Sequence, residues 1–291
     1  MRNPMTPPRR IAIASHPSLP AAAREADLVA ELLGRQNLQS LACGSLYDPE
    51  LRQRIQNREF DVLIALGGDG TMLRAGQLCA PWGVPVLGIN LGSFGFLIEV
   101  QQGDWHNALP LLLQGKYRLE DRMILHAEHQ REGAVLNSWT VINEVVVCRG
   151  KIVRPIRVTA HVDGHLMASY VADGLIISTA TGSMAYALAA GGPIMPPELR
   201  NVLIIPLAPH LSMDRAVILE EGVRVKVTVH TDHEAVISPD GHTPEALLSG
   251  DVIEVASHDQ PVTFIRFQDA GYFYTNLTKY MERNPTAGMN A

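Results

Sequence analysis

The sequence has little of the chemistry that marks several protein classes. Only three cysteines occur in 291 residues, Cys43, Cys79 and Cys148. They are odd in number, far apart and without a C-x-x-C pair, so they offer no disulfide framework and read as reduced, mostly buried thiols of a cytoplasmic protein. Charge is sparse at 19% of residues, with a net charge of −6 and a pI near 6.0. That balance argues against nucleic acid or an anionic membrane as partner. No apolar run follows the opening MRNPMTPPRR, so no signal peptide is visible. The long uncharged stretch at residues 174–197 is full of Thr, Ser, Gly and Pro, which hydrocarbon does not tolerate, and a membrane span is rejected. Repeats and low-complexity tracts are also missing. What remains is an ordinary soluble composition, 46% hydrophobic, in a chain long enough for about two domains.

The chain is organised around residues 60–79, FDVLIALGGDGTMLRAGQLC. Residues 60–66 are a short apolar run rich in branched side chains, as in a buried parallel strand. The run stops at Gly67, Gly68, Asp69 and Gly70, where the backbone is free to approach a ligand closely. Thr71 is expected to cap the helix that carries Met72, Leu73, Ala75, Leu78 and Cys79. Strand, glycine turn and helix N-terminus together form an anion site. Asp69 stands inside it, which points to metal holding or proton removal unless the side chain only makes an Asx-turn. No Lys-Ser/Thr follows the glycines, so this is not a Walker A loop, and the G-x-G-x-x-G spacing is not met.

Around this stretch strands and helices alternate. Strands are expected at 11–14, 39–42 and 84–89. Ser18 and Pro20 are read as opening a helix that ends at Gly34, with Leu28, Val29, Leu32 and Leu33 on its apolar face. Asp48-Pro49 starts a second helix, with Leu51 and Ile55 inward, and residues 104–114 a further one despite Pro110. The pattern predicts an α/β first domain with an open, mostly parallel sheet over residues 1–122, whose ligands sit at strand carboxyl ends. From 123 to 267 strands follow one another without helices, predicting a β-rich second domain. Residues 123–129 pair with 139–149, Asp163-Gly164 closes a hairpin, and 223–229, 252–255 and 262–267 add strands. Residues 268–291 are expected to return to the first domain, because Tyr272, Phe273, Tyr274, Leu277, Tyr280 and Met281 are too apolar to hang free.

Three polar stretches interrupt the second half. Asn143-Glu144 reads either as a grip on a sugar diol or as an edge pair facing water. Asp173 precedes an apolar run, and Thr181-Gly182-Ser183-Met184-Ala185-Tyr186 resembles a second anion- or amide-binding helix start. Asp240-Gly241 is most simply a turn.

Taken in order, GGDGT at 67–71, Asn143-Glu144, ADGLIISTATGSMAYALAAGGPI at 172–194, PLAPH at 206–210 and the late Asp240-Gly241 resemble the NAD kinases of bacterial type over nearly the whole chain. Lipid kinases of the GGDGT type share only the first motif. The resemblance implies transfer of the ATP γ-phosphoryl group to the 2′-hydroxyl of the adenosine ribose of NAD, giving NADP. It implies Asp69 as the base or its metal-binding counterpart, and a turn of Gly67, Gly68, Gly70 and Thr71 cradling donor phosphates with Mg²⁺ carried by ATP. Gly68 and Gly70 also face substrate, Phe96 lies beside it, and Asn143, Glu144, Asp173, Thr181, Ala185 and Tyr186 hold dinucleotide. Met184, His210 and Asp240 carry over as further candidates. Some members accept inorganic polyphosphate, and members assemble as homodimers or homotetramers. The chain departs from the family pattern at Ser93-Phe94, Ala180, Met184 and Ala189. The competing readings are a GGDGT-type lipid kinase and a non-catalytic dinucleotide-binding regulator.

Overall fold

Short runs of β-branched and small apolar residues, each cut by a turn, build the first sheet. The structure, a computed structural model, describes residues 5–92, 95–210 and 213–282. The first elements are β1 (Arg10–Ser15), α1 (Pro20–Gly34), β2 (Ser40–Ser45), α2 (Pro49–Gln56), β3 (Val62–Gly67), α3 (Asp69–Cys79), β4 (Val86–Asn90), β5 (Val100–Gln101), α4 (Trp105–Leu113) and β6 (Arg118–Arg122). Strands β1, β2, β3 and β4 pair in parallel, with β1 and β3 central, and all six residues of β3 are buried. A strand covered on both faces needs no polar alternation, hence the continuous apolar run.

The helices differ from expectation in detail. Ser18 does not cap α1; Leu19 holds that position without a side-chain bond, and Pro20 supplies a preset φ at the first turn. The buried stripe of α1 is Ala22, Ala26, Val29 and Leu33, while Leu28 is 51% exposed, because i, i+4, i+7 spacing selects one face only. Asp48 does cap α2, accepting from the Glu50 N–H at 2.9 Å. Pro110 sits inside α4 without ending it.

The following strands are β7 (Leu125–Arg131), β8 (Ala134–Val141), β9 (Glu144–Arg149), β10 (Ile156–Val162), β11 (His165–Ala172) and β12 (Gly174–Thr179). After α5 (Tyr186–Ala189) come β13 (Asn201–Leu207), β14 (Val217–Glu220), β15 (Arg224–His230), β16 (Ala235–Pro239), β17 (Glu245–Leu247) and β18 (Val252–Ser257), then β19 (Val262–Arg266) and α6 (Tyr272–Glu282). Two antiparallel six-stranded sheets result, in the orders β11-β10-β15-β18-β7-β8 and β14-β13-β12-β9-β16-β17. They share a core that includes Leu125, Val147, Val158, Tyr170, Ile177, Val227 and Ile253. The first alternates buried and open positions, as along β15. The second is covered on its other face too, where Val146, Ile176, Leu203 and Ile205 pack with Ala187 and Met195. This is why β12 is buried along its whole length.

Two expectations are corrected here. The run expected as one strand over 139–149 breaks at Ile142 and Asn143: β8 pairs with β7 in one sheet, and β9 starts afresh between β12 and β16 in the other. Residues 262–266 do not join the β-rich part, since β19 pairs in parallel with β4, Phe264 opposite Val86. The first sheet therefore runs β2-β1-β3-β4-β19-β6, with β5 on β4. By contacts the chain forms two compact units, Arg122–Gln260 and the residues up to Asp121 together with those from Pro261 on. The hairpin at Asp163-Gly164 forms as expected, both residues at positive φ. All three cysteines are free, but only Cys79 is buried; Cys43 is exposed and Cys148 half-buried. Among the described residues no helix is long and apolar enough to cross a membrane.

Candidate functional site

In the first unit the chemistry gathers where β3 meets α3. A Cβ on Gly67 would lie 2.2 Å from the Thr71 hydroxyl oxygen, so only glycine lets the first turn of α3 fold back on the strand end. Thr71 is not the cap. The helix starts at Asp69 with Gly68 before it, which puts Thr71 inside the first turn, its side chain buried against Gly67 and its N–H on the Gly68 carbonyl. Gly68 and Gly70 have nothing within 4 Å of a built Cβ, so the backbone there faces open space at the positive end of the helix.

Asp69 is turned away from its own helix. Its Oδ2 accepts the Phe96 N–H at 2.7 Å and its Oδ1 the Leu97 N–H at 3.2 Å. A Cβ on Gly95 would stand 2.2 Å from Oδ1, so the backbone at Gly95 leaves the carboxylate room that a side chain would take. Phe96 itself is half-buried. The turn after β4 is ordered by Asn90, a buried amide that donates to Gln101 at 3.0 Å and accepts the Gly92 N–H. Ser93 and Phe94 lie outside the described residues.

In the second unit the start of β9, the turn after β12 and the end of β16 come together. The Asp240 carboxylate accepts three successive N–H groups, from Ile142 (2.7 Å), Asn143 (2.8 Å) and Glu144 (3.1 Å). This clamp makes the break in the run 139–149, and it spends Asp240 on backbone. The Thr179 N–H bonds to the Asn143 carbonyl at 2.8 Å, and a Cβ on Gly182 would come within 2.2 Å of that same oxygen. Three hydroxyls fasten the turn: Ser178 donates to the Asn143 carbonyl, Thr179 to the Ile142 carbonyl, and Ser183 to Ala180 while accepting from Met195. Sequence reasoning passed over Ser178 and Thr179 and read Ser183 only as part of a ligand-binding loop, although Ser, Thr and Ser among apolar residues of a strand end are the signal for such links.

Glu144 is buried, 7% exposed. Burial above all, then the Asp240 charge, push its carboxyl up to about 8, opposed in part by the Tyr186 N–H. Its Oε2 meets no hydrogen-bond partner among the described residues, and neither does the buried Thr181 hydroxyl. Asp173 is half-buried with the Arg149 Nε 2.9 Å away, paired in charge but off line for a hydrogen bond. Arg149 was not anticipated; an arginine ending an apolar strand, opposite an expected site acid, was the available sign. Ala185 is half-buried and Tyr186 half-exposed, its phenol raised by burial and by the neighbouring Cys148, Asp173 and Glu144. Met184 is 4% exposed and fills the turn. His210 is exposed, held by its N–H on the Val171 carbonyl.

Comparison with known proteins adds six findings. Residues 35–117 match the family model of the ATP-NAD kinase N-terminal domain, and residues 142–267 that of the ATP-NAD kinase C-terminal domain. The chain is 42% identical to the NAD kinase of Heliobacterium modesticaldum over 226 residues, 77% of this chain and 79% of that one. It is 32% identical to the NAD kinase of Dehalococcoides mccartyi over 277 residues, 95% and 97% of the two chains. In fold it is similar to yeast NADH kinase complexed with NADH (TM-score 0.82, 20% identity, 97% of this chain and 89% of that one). It is also similar to an NAD kinase from Archaeoglobus fulgidus in complex with ATP (TM-score 0.73, 24% identity, 93% and 98%).

Proposed function

The chain belongs to the NAD kinase family, and from that premise we propose how its two units share the transfer of the ATP γ-phosphoryl group to the 2′-hydroxyl of the adenosine ribose of NAD. Phosphoryl transfer asks mainly for positioning, charge stabilisation and a base. Asp69 is the base. The observation that carries this assignment is its carboxylate, held on two backbone N–H groups at the head of α3, beside two glycines with open space before them. As the ribose 2′-oxygen bonds to the γ-phosphorus, its proton passes to Asp69, and the bond to the bridging oxygen breaks with its electron pair leaving on ADP. Gly68 and Gly70 cradle the donor phosphates, with Gly67 and Thr71 shaping the turn.

Dinucleotide is the share of the second unit. The Glu144 Oε2 and the Thr181 hydroxyl, buried and unpartnered among the described residues, are polar groups that a ligand rich in hydroxyls completes. Asn143, Asp173, Ala185 and Tyr186, with Phe96 from the first unit, belong to the same function. Asp240 serves it from behind, by fixing the backbone of 142–144, and His210 is kept as an exposed contact. Mg²⁺ is assigned to the phosphates of ATP, whose oxygens are the hard ligands it prefers. Exposed Val135, Leu136, Leu166 and Ile218 on β8, β11 and β14, all outer strands of their sheets, support a homo-oligomer, dimer or tetramer. The free thiols and acidic balance fit a cytoplasmic protein acting without nucleic acid or membrane.

The test is incubation with ATP, Mg²⁺ and NAD, reading NADP, with a diacylglycerol substrate and inorganic polyphosphate as donor in parallel arms. NADP formation from ATP is expected. Lipid phosphorylation without NADP would overturn the reading, and light scattering of the active protein decides its assembly.

A further inference from the structure

Arg266 ends β19 with its side chain 2% exposed. Burying a guanidinium costs several kcal/mol unless its N–H groups are matched. Here Nε donates to the Glu120 Oε1 on β6 at 3.0 Å, and the guanidinium carbon lies 5.2 Å from the centre of the Phe264 ring. Glu120 is itself buried, and its other oxygen accepts from Arg118 at 2.7 Å. The ion pair alone would be ordinary core structure. What distinguishes it is the second nitrogen: Nη1 donates to the Leu97 carbonyl at 2.8 Å, not to another side chain. Leu97 is also the residue whose N–H holds the Asp69 Oδ1. Glu99 adds a second strap, accepting the N–H groups of Phe267 and Gln268 just beyond β19.

Leu97 is thus gripped on its carbonyl side by Arg266 and on its amide side by Asp69. We propose that Arg266 is a positioning residue for phosphoryl transfer, acting through the backbone of Leu97 to fix the direction of the Asp69 carboxylate. The tolerance is small, since the room before Oδ1 exists only because Gly95 has no side chain. A misplacement of about 1 Å can cost on the order of a hundredfold in rate. The assignment rests on the reading of Asp69 as the base.

The test is a double-mutant cycle of Arg266→Met and Asp69→Asn, with Arg266→Lys as the conservative variant, reading kcat, both KM values and melting temperature. If Arg266→Met does not fold, Glu120→Gln with Arg266→Met, which removes both partners of the buried ion pair together, takes its place. In the folded variant kcat is expected to fall about ten- to a hundredfold with both KM values within about threefold, and Lys to restore part of it. In the Asp69→Asn background the same change is expected to cost less than about threefold, because the group it positions is gone. A folded Arg266 variant with kcat near wild type overturns the proposal, and so does an equal loss in both backgrounds. Should Asp69→Asn alone keep its turnover, the base assignment fails on its own count, independently of Arg266.

Discussion

Asp69 and Glu144 each stand where an apolar strand meets a turn, and the chain treats them in opposite ways. Asp69 has a backbone donor on each oxygen and sits at a helix N-terminus. Glu144 is buried, faces the charge of Asp240, and has one oxygen with no partner among the described residues. A carboxylate held on fixed donors is aimed. One left unmatched in a low-dielectric place waits for a ligand to complete its hydrogen bonds. Burial alone therefore does not identify an acid's task; the donors around it do.

The comparison breaks first at Asp69. Asp69→Asn is expected to lower kcat by roughly a hundred- to ten-thousandfold with NAD binding near wild type, since an amide cannot take the proton, and to lower the melting temperature by a few degrees, since its NH2 group faces one of the two backbone N–H donors. Steady-state kinetics beside equilibrium NAD binding checks it. Near wild-type turnover would remove the contrast between the two acids.

Replacing Glu144 by Ala is expected to raise the KM for NAD at neutral pH by up to about tenfold, the worth of a neutral hydrogen bond, since the carboxyl is held protonated below about 8, with a smaller change for ATP. If the ATP value moves most, the residue serves the donor instead. Glu144→Gln sharpens the same point through pH. In the folded chain Glu144 binds its proton more tightly than in the unfolded one, so its contribution to stability is fully present below about pH 4.5. It is lost as pH rises through about 8. Without ligand, the melting temperature of the native chain is expected to fall relative to the Gln variant between pH 5 and 9, by the equivalent of a few kcal/mol at most. A constant gap across that range would mean that the carboxyl is not held up by its surroundings.

Gly182→Ala tests the framework behind Glu144. Its added carbon meets a backbone carbonyl, which cannot swing aside, and the cost is expected at about 1–3 kcal/mol with a raised KM for NAD. The smallest effect is expected at Met184. Burial makes it a packing residue, so Met184→Thr should lower the melting temperature by a few degrees and change the KM for NAD less than about threefold. A several-fold tighter KM at unchanged stability would return it to the ligand.

The strand, glycine turn and helix around Asp69 were legible because each signal there is local: an apolar run, glycines, then helical spacing. The Asp163-Gly164 hairpin was legible for the same reason. The break at Ile142 and Asn143 was not, since it is made by a carboxylate 98 residues away from Ile142. Nor was the home of β19, because the apolar Val262, Phe264 and Ile265 suit either sheet and the partner strand lies far back in the chain. Thr71 misled because a hydroxyl at a helix start is the usual cap, while here a glycine takes that place. The Glu120–Arg266 pair left one trace, an arginine between Ile265 and Phe267, where the apolar context makes a charge costly.

The return of the chain to its first sheet has a consequence for synthesis. β19 lies between β4 and β6 in that sheet, and the Thr263 hydroxyl donates to Asp121 at 2.7 Å, pinning the point of departure to the point of return. The ribosome delivers β19 only after the whole of Arg122–Gln260, which has its own core and all of its strands by then. Domains generally form as they emerge, so the inserted unit is expected to fold while the first sheet is still missing a strand. A nascent chain arrested soon after residue 260 would then show protease resistance over 122–260 and cleavage within 5–121. The part that begins first is the part that finishes last.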